Sequence, residues 1–196
     1  MKQILIIHGG DSFSSYEAYL KNLQERSLDY SRLLPKRGWK QWLADQLPEA
    51  DILLPTFPNS DNAVFEEWKI IFEKLIPFLD DDVCIVGHSL GAMFLAKYLQ
   101  EHPLDKKIHQ LILVAGGYDD DTSEDLGSFS VSSATRLFES ADTVHLFHSK
   151  DDPVVPYTEL SKFQRDLPSA IVHSFDDKGH FLDPTFPELL ETIKQK

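Results

Sequence analysis

The chain has 196 residues, 42% of them hydrophobic and 26% charged, enough for a substantial core in a single domain spanning 1–196, with or without an inserted cap. A formal charge of −13 argues against a nucleic-acid partner, because phosphate binding needs a clustered basic surface. The single cysteine, Cys84, excludes an intramolecular disulfide, and no apolar run approaches membrane-spanning length, so a cytoplasmic chain without membrane insertion is expected.

The first predicted strand, Gln3–Ile7, runs into a glycine turn, His8-Gly9-Gly10-Asp11. A helix over Ser15–Gln24 follows, then a polar insertion, Arg26–Gly38. Next come a short helix (Trp39–Gln46) and a strand (Asp51–Leu54). The segment Ala63–Leu79 carries Val64, Trp68, Ile71, Phe72 and Leu75 on one helical stripe, weakened at its end by Pro77. Strand Val83–Gly87 leads into helix Ser89–Glu101, stopped by His102-Pro103. Strand His109–Ala115 precedes an acidic loop, Gly116–Phe129, and a helix expected around Ser130–Glu139. The remaining elements are strand Thr143–His148, helix Thr158–Asp166, strand Ala170–Ser174 and helix Phe186–Lys194. Alternation of this kind predicts an α/β fold, a three-layer α/β/α sandwich around a six-stranded, mostly parallel sheet. The strands are near-continuous Ile, Leu and Val, as strands covered on both faces must be.

Gly87-His88-Ser89-Leu90-Gly91 is weak evidence by itself, since composition alone produces a Gly-x-Ser-x-Gly match with a probability of about 0.04. Its position is the stronger signal. A strand leads in and a helix leads out, which is the setting of a nucleophile elbow, where a sharp turn lifts the serine oxygen clear of the backbone. Glycines on either side keep that turn free of side-chain collisions.

A serine needs a base, and the base needs a carboxylate to orient it. In this architecture both follow the serine, in the order acid then histidine, at the ends of later strands. Asp152 in Lys150-Asp151-Asp152-Pro153-Val154-Val155-Pro156 and His180 in Lys178-Gly179-His180-Phe181 meet that order. Asp151 is the competing acid. His145 and His148 lie three apart and face opposite sides of their strand, which argues against a metal pair. His173 reads as a core or sheet-face residue, and His102 and His109 as structural. His88 sits inside the elbow, placed to support the turn or line the pocket. Two amides would bind a developing oxyanion: Leu90, directly after the serine, and Gly10 in the loop after the first strand, with Asp11 as its alternative. The aromatics Trp39, Trp42, Phe57, Phe65 and Trp68 have helical spacing, which favours core over an acyl pocket. Tyr118 and Phe129 are the better pocket candidates, because their loop borders the expected crevice.

With His8-Gly9, Gly87-His88-Ser89-Leu90-Gly91, Asp152 and Lys178-Gly179-His180-Phe181 in this order, the chain resembles an α/β-hydrolase. More narrowly, it is similar to the compact serine hydrolases that include YdeN-like bacterial proteins and a retinoblastoma-binding human member. Asp-Pro-x-x-Pro after the fifth strand recurs in hydrolases of this type and favours Asp152 over Asp151. The resemblance implies a sheet lacking the first strands of larger relatives, with order 2-1-3-4-5-6. It also implies a triad that falls on Ser89, Asp152 and His180. No Leu-x-Cys-x-Glu segment is present, so a retinoblastoma-type interaction is not expected.

The expected activity is hydrolysis of a small-molecule ester, or of a thioester or amide, through an acyl-enzyme. No cofactor or metal is needed, and a protein partner is left open. The rival is a non-catalytic binding module on the same fold. Haloalkane or epoxide chemistry would need an aspartate at position 89. A peroxidase-like or lyase activity on the same residues stays open.

Overall fold

A computed structural model describes residues 2–35, 37–119 and 125–195. Its centre is a sheet of six strands: β1 (Lys2–Ile7), β2 (Ala50–Leu53), β3 (Val83–His88), β4 (Ile108–Val114), β5 (Ala141–Ser149) and β6 (Ile171–Phe175). The order is β2-β1-β3-β4-β5-β6, and each neighbouring pair is parallel. Among the described residues, eight α-helices accompany the sheet: α1 (Tyr16–Glu25), α2 (Tyr30–Leu33), α3 (Trp39–Gln46), α4 (Phe65–Leu75), α5 (Leu90–Glu101), α6 (Leu137–Ser140), α7 (Thr158–Asp166) and α8 (Pro187–Lys194).

Strand alternation divides the core into two layers. Leu5, Ile7, Val83, Ile85, Leu111, Leu113, Val144 and Leu146 face one side, where α4, α5 and α7 supply Trp68, Phe72, Phe94 and Phe163. Ile4, Ile6, Cys84, Val86, Ile112, Val114 and Phe147 face the other, covered by Trp39 and Leu43 of α3 and Leu189 and Ile193 of α8. Full burial of each large side chain contributes roughly 1.5–3 kcal/mol. This is the α/β/α sandwich that the strand composition predicts, with the strand order implied by the family resemblance.

Two helices depart from expectation. The one expected over Ala63–Leu79 stops at Leu75 and finishes as a tighter 3-10 turn at Ile76–Phe78, because Pro77 has no N–H for the α-helical ladder. The one expected over Ser130–Glu139 is reduced to Leu137–Ser140. The amides of its start are taken by distant groups instead: Val131 donates to the Tyr118 carbonyl, Ala134 to Asp166 Oδ2 at 2.9 Å and Arg136 to Gln100 Oε1 at 2.9 Å. In the insertion after α1, Leu28, Tyr30, Leu33 and Leu34 are exposed. Of the acidic loop 116–129, residues 120–124 lie outside the described residues.

Because the strands run parallel, the loops leaving β1, β3, β5 and β6 emerge along one edge of the sheet. Register pairs Ile7 with Gly87, Val114 with Phe147 and Ser149 with Phe175, so those loops start side by side. A crevice at the carboxyl ends of the strands is where such folds place ligands.

Candidate active site

The turn between β3 and α5 depends on its glycines. A Cβ on Gly87 would lie 2.6 Å from the Gly91 carbonyl oxygen, and one on Gly91 would lie 2.6 Å from the Ile7 oxygen and 2.7 Å from the His8 oxygen. All three are backbone atoms that cannot step aside. Ser89 is held at φ 55°, ψ −121°, a conformation costly for any residue with a side chain. Its amide is anchored on the Val114 carbonyl at 2.8 Å, and its own carbonyl accepts from Ala92 and Met93 as the helix begins. The strain therefore sits at one residue, whose side chain is left partly exposed in the crevice.

Three side chains meet there. Ser89 Oγ lies 2.9 Å from His180 Nε2, and His180 Nδ1 lies 2.8 Å from Asp152 Oδ2. Asp152 also accepts the Val154 and Val155 amides on Oδ1, at 2.8 and 3.0 Å, and its side chain is fully buried. Burial pushes its carboxyl up, but the His180 hydrogen bond and the two amides outweigh this and hold it below its ordinary value. The carboxylate thus fixes the proton of His180 on Nδ1 and leaves Nε2 to accept from the serine hydroxyl.

Asp151, the competing acid, points elsewhere. It accepts Ser149 Oγ at 2.5 Å and the Gly179 amide at 2.9 Å, which ties the β5 loop to the loop carrying His180. Gly179 itself adopts φ 50°. Three further contacts brace these loops. The buried His88 donates from Nε2 to the His180 carbonyl at 2.9 Å, and Trp39 Nε1 donates to the Phe181 carbonyl at 3.0 Å. His148 donates to the Val155 carbonyl at 3.0 Å, behind Asp152. Burial lowers the His88 pKa to about 3, so it stays neutral and keeps this role at any physiological pH. His145 and His173, on the opposite side of β5, bond to each other at 3.0 Å.

The loop after β1 closes over the serine. A Cβ on Gly9 would touch Ser89 Cβ at 2.9 Å. His8 Nε2 accepts the Phe57 amide, so the ring proton lies on Nδ1 and donates to the Gly9 carbonyl at 2.6 Å. The Asp11 amide is already given to the Ser60 carbonyl at 2.8 Å, which removes it as an oxyanion donor. The Gly10 and Leu90 amides have no acceptor among the described residues. Asp11 still lines the crevice, with Arg26 at 3.7 Å from its carboxylate.

Two hollows meet at Ser89. The larger, about 510 Å³, is walled by His8, Trp39, Lys40, His88, His180 and Leu182. The smaller, about 90 Å³, lies between Leu90, Met93, Leu126 and Val155. Tyr118 and Phe129, expected in this crevice, belong to neither. Tyr118 turns down onto α7, giving its amide to Glu159, its hydroxyl to Asp166 and its ring edge to Phe163. Phe129 is fully buried against Phe65 and Trp68. Phe57, Phe65 and Trp68 are likewise core, and Trp42 packs half-buried against the α3/α8 layer. Trp39 alone among the five reaches the hollow. Helical spacing signalled burial correctly, but loop position did not signal exposure.

The sequence profile described as "serine hydrolase" matches residues 34–186. The chain belongs to the serine hydrolase family. Within this serine hydrolase family it is 29% identical to serine hydrolase RBBP9 of Rattus norvegicus over 164 residues, covering 80% of this chain and 85% of that one. It is also 29% identical to the putative hydrolase YdeN of Bacillus subtilis over 192 residues, covering 93% and 87%. The crystal structure of the B. subtilis ydeN gene product superposes with a TM-score of 0.78 at 23% identity, covering 98% of this chain and 97% of that one, and so shares the fold. No helix among the described residues of this serine hydrolase is long and apolar enough to cross a membrane.

Proposed function

We propose that this serine hydrolase cleaves a small-molecule ester through an acyl-enzyme. The observation that carries the reading is the continuous line from Ser89 Oγ through the His180 ring to the buried Asp152 carboxylate, with both bonds under 3 Å. His180 Nε2 takes the hydroxyl proton as Oγ attacks the ester carbonyl. Asp152 stabilises the imidazolium that results. The Leu90 and Gly10 amides donate to the oxyanion, assisted by the positive end of α5. His180 then returns the proton to the departing alkoxide, and water repeats the sequence on the acyl-serine. The two hollows at Ser89 suit a compact acyl substrate.

A series of p-nitrophenyl esters from acetate to octanoate tests this. The expected result is a burst of one p-nitrophenol per chain followed by slower turnover, with a rate that depends on acyl length. A profile flat with chain length and no faster than buffer would favour a binding module instead.

A further inference from the structure

Lys40 is placed where a lysine costs the fold stability. It sits half-buried in the first turn of α3, two residues after the N-cap Gly38, where the helix dipole repels a cation. Among the described residues its ammonium has no carboxylate or carbonyl partner. Its one favourable contact is the ring of the adjacent Trp39, 5.6 Å away. Its charge is felt by both His8 and His88, which lie with it around the larger hollow beside Ser89. The other charged group on that wall, Asp11, faces Arg26. Lys107, Lys150 and Lys178, by contrast, each have a carboxylate within 3.0 Å. The position is also not loose: Trp39 is buried and pinned through its indole N–H to the Phe181 carbonyl, so α3 holds Lys40 against the site.

A desolvated, rigidly presented cation without an anion has an unmet partner, and it borders the space a substrate must enter. We propose that Lys40 selects substrates bearing a carboxylate, on the acyl or the leaving-group half, and pairs with it in the larger hollow. This rests on the esterase reading and names the substrate class. In a chain of net charge −13, the bulk field repels such anions, so selection has to come from this local cation. Burial lowers the Lys40 pKa to about 8. The charged form is therefore present below that pH and lost as pH rises through it, and preference for anions fades in the same window.

The test compares neutral esters with anionic counterparts of matched size. p-Nitrophenyl hemiglutarate against p-nitrophenyl valerate reads the acyl side, and the butyrate ester of 3-hydroxybenzoate against phenyl butyrate reads the leaving-group side. In the native chain at pH 7, kcat/KM for one anionic member exceeds its neutral partner at least tenfold. Lys40→Met removes that ratio, Lys40→Glu inverts it, and Lys40→Arg preserves it and carries it above pH 9. Lys40→Met also raises the Tm of the unliganded chain, whereas a merely structural lysine would lower it. A calorimetric titration of native and Lys40→Met chains with glutarate and with the neutral amide valeramide decides the matter independently of turnover: glutarate binds more tightly, and only while Lys40 is present. If no ester is hydrolysed but glutarate binding depends on Lys40, the esterase reading falls and the anion site stands. Anionic and neutral members treated alike in both arms, or a preference that survives Lys40→Met, overturns the proposal.

Discussion

Asp152→Asn is expected to lower kcat about 10⁴-fold while the fold persists. The reason is geometric. Asparagine can keep its Oδ1 on the Val154 and Val155 amides, as Asp152 does at 2.8 and 3.0 Å. Its second atom is then an NH2 facing His180 Nδ1, where a carboxylate oxygen now accepts at 2.8 Å. Two donors cannot share that contact, so the ring moves its proton to Nε2 and presents a donor to Ser89. The base is lost without a change of shape. Asp151→Asn makes the contrast, since its oxygen can still accept from Ser149 and Gly179, and its kcat falls less than about tenfold. Steady-state kinetics on a p-nitrophenyl ester, with circular dichroism to confirm folding, measures both. Equal losses from the two variants would contradict the assignment of Asp152.

Acid stability carries the same signature. The Asp152 carboxyl is held below its ordinary 3.8, so its stabilising contribution is complete at neutral pH and lost as pH falls through the lowered value. Asp152→Asn should flatten the fall of Tm below pH 4.

Gly91→Ala is the second large effect, this time on folding. Alanine in a helix is favoured over glycine by about 1 kcal/mol, so on propensity alone the change would stabilise α5. The new Cβ, however, would meet the Ile7 and His8 backbone oxygens at 2.6 and 2.7 Å, far inside contact distance. Either β1 or α5 must move, and both hold the site. The clash outweighs the propensity gain, for a net loss of about 3 kcal/mol and a fall in Tm of about 6–12 °C. Gly179→Ala differs, because nothing lies within 4 Å of its Cβ position. Its cost is the φ of 50° alone, about 1–2 kcal/mol. Thermal melts of the two variants separate steric from conformational strain; a Gly91→Ala chain as stable as the parent would refute the close approach.

What the sequence made legible follows from short-range physics. The strands were visible as continuous apolar runs, and the elbow as glycines flanking a serine between a strand and a helix. Asp152 and His180 were found by order along the chain, which parallel topology converts into proximity. Long-range choices were less visible. Tyr118 and Phe129 sit on a loop that borders the crevice in sequence, yet Glu159, Asp166 and the aromatic core draw them inward. The helix expected from Ser130 fails because its first amides are drawn to distant acceptors, the Tyr118 carbonyl and the Asp166 and Gln100 side chains. Asp11, the alternative to Gly10 for the oxyanion, gives its amide to the Ser60 carbonyl, a long-range pairing that local sequence does not reveal. Lys40 carried no signal at all, since a lone lysine on an amphipathic helix is ordinarily solvated. Only the packing of Trp39 beneath the His180 loop brings it to the site.

The proposed reaction requires Ser89 to be an activated nucleophile. A fluorophosphonate probe reacts only with a serine whose proton can be taken by a neighbouring base, so it interrogates that requirement without any assumption about substrate. Intact mass and peptide mapping of the labelled chain should show one equivalent, on the peptide carrying Ser89, absent in Ser89→Ala and strongly slowed in Asp152→Asn. No label on the native chain, or label that persists after Ser89→Ala, would contradict the account.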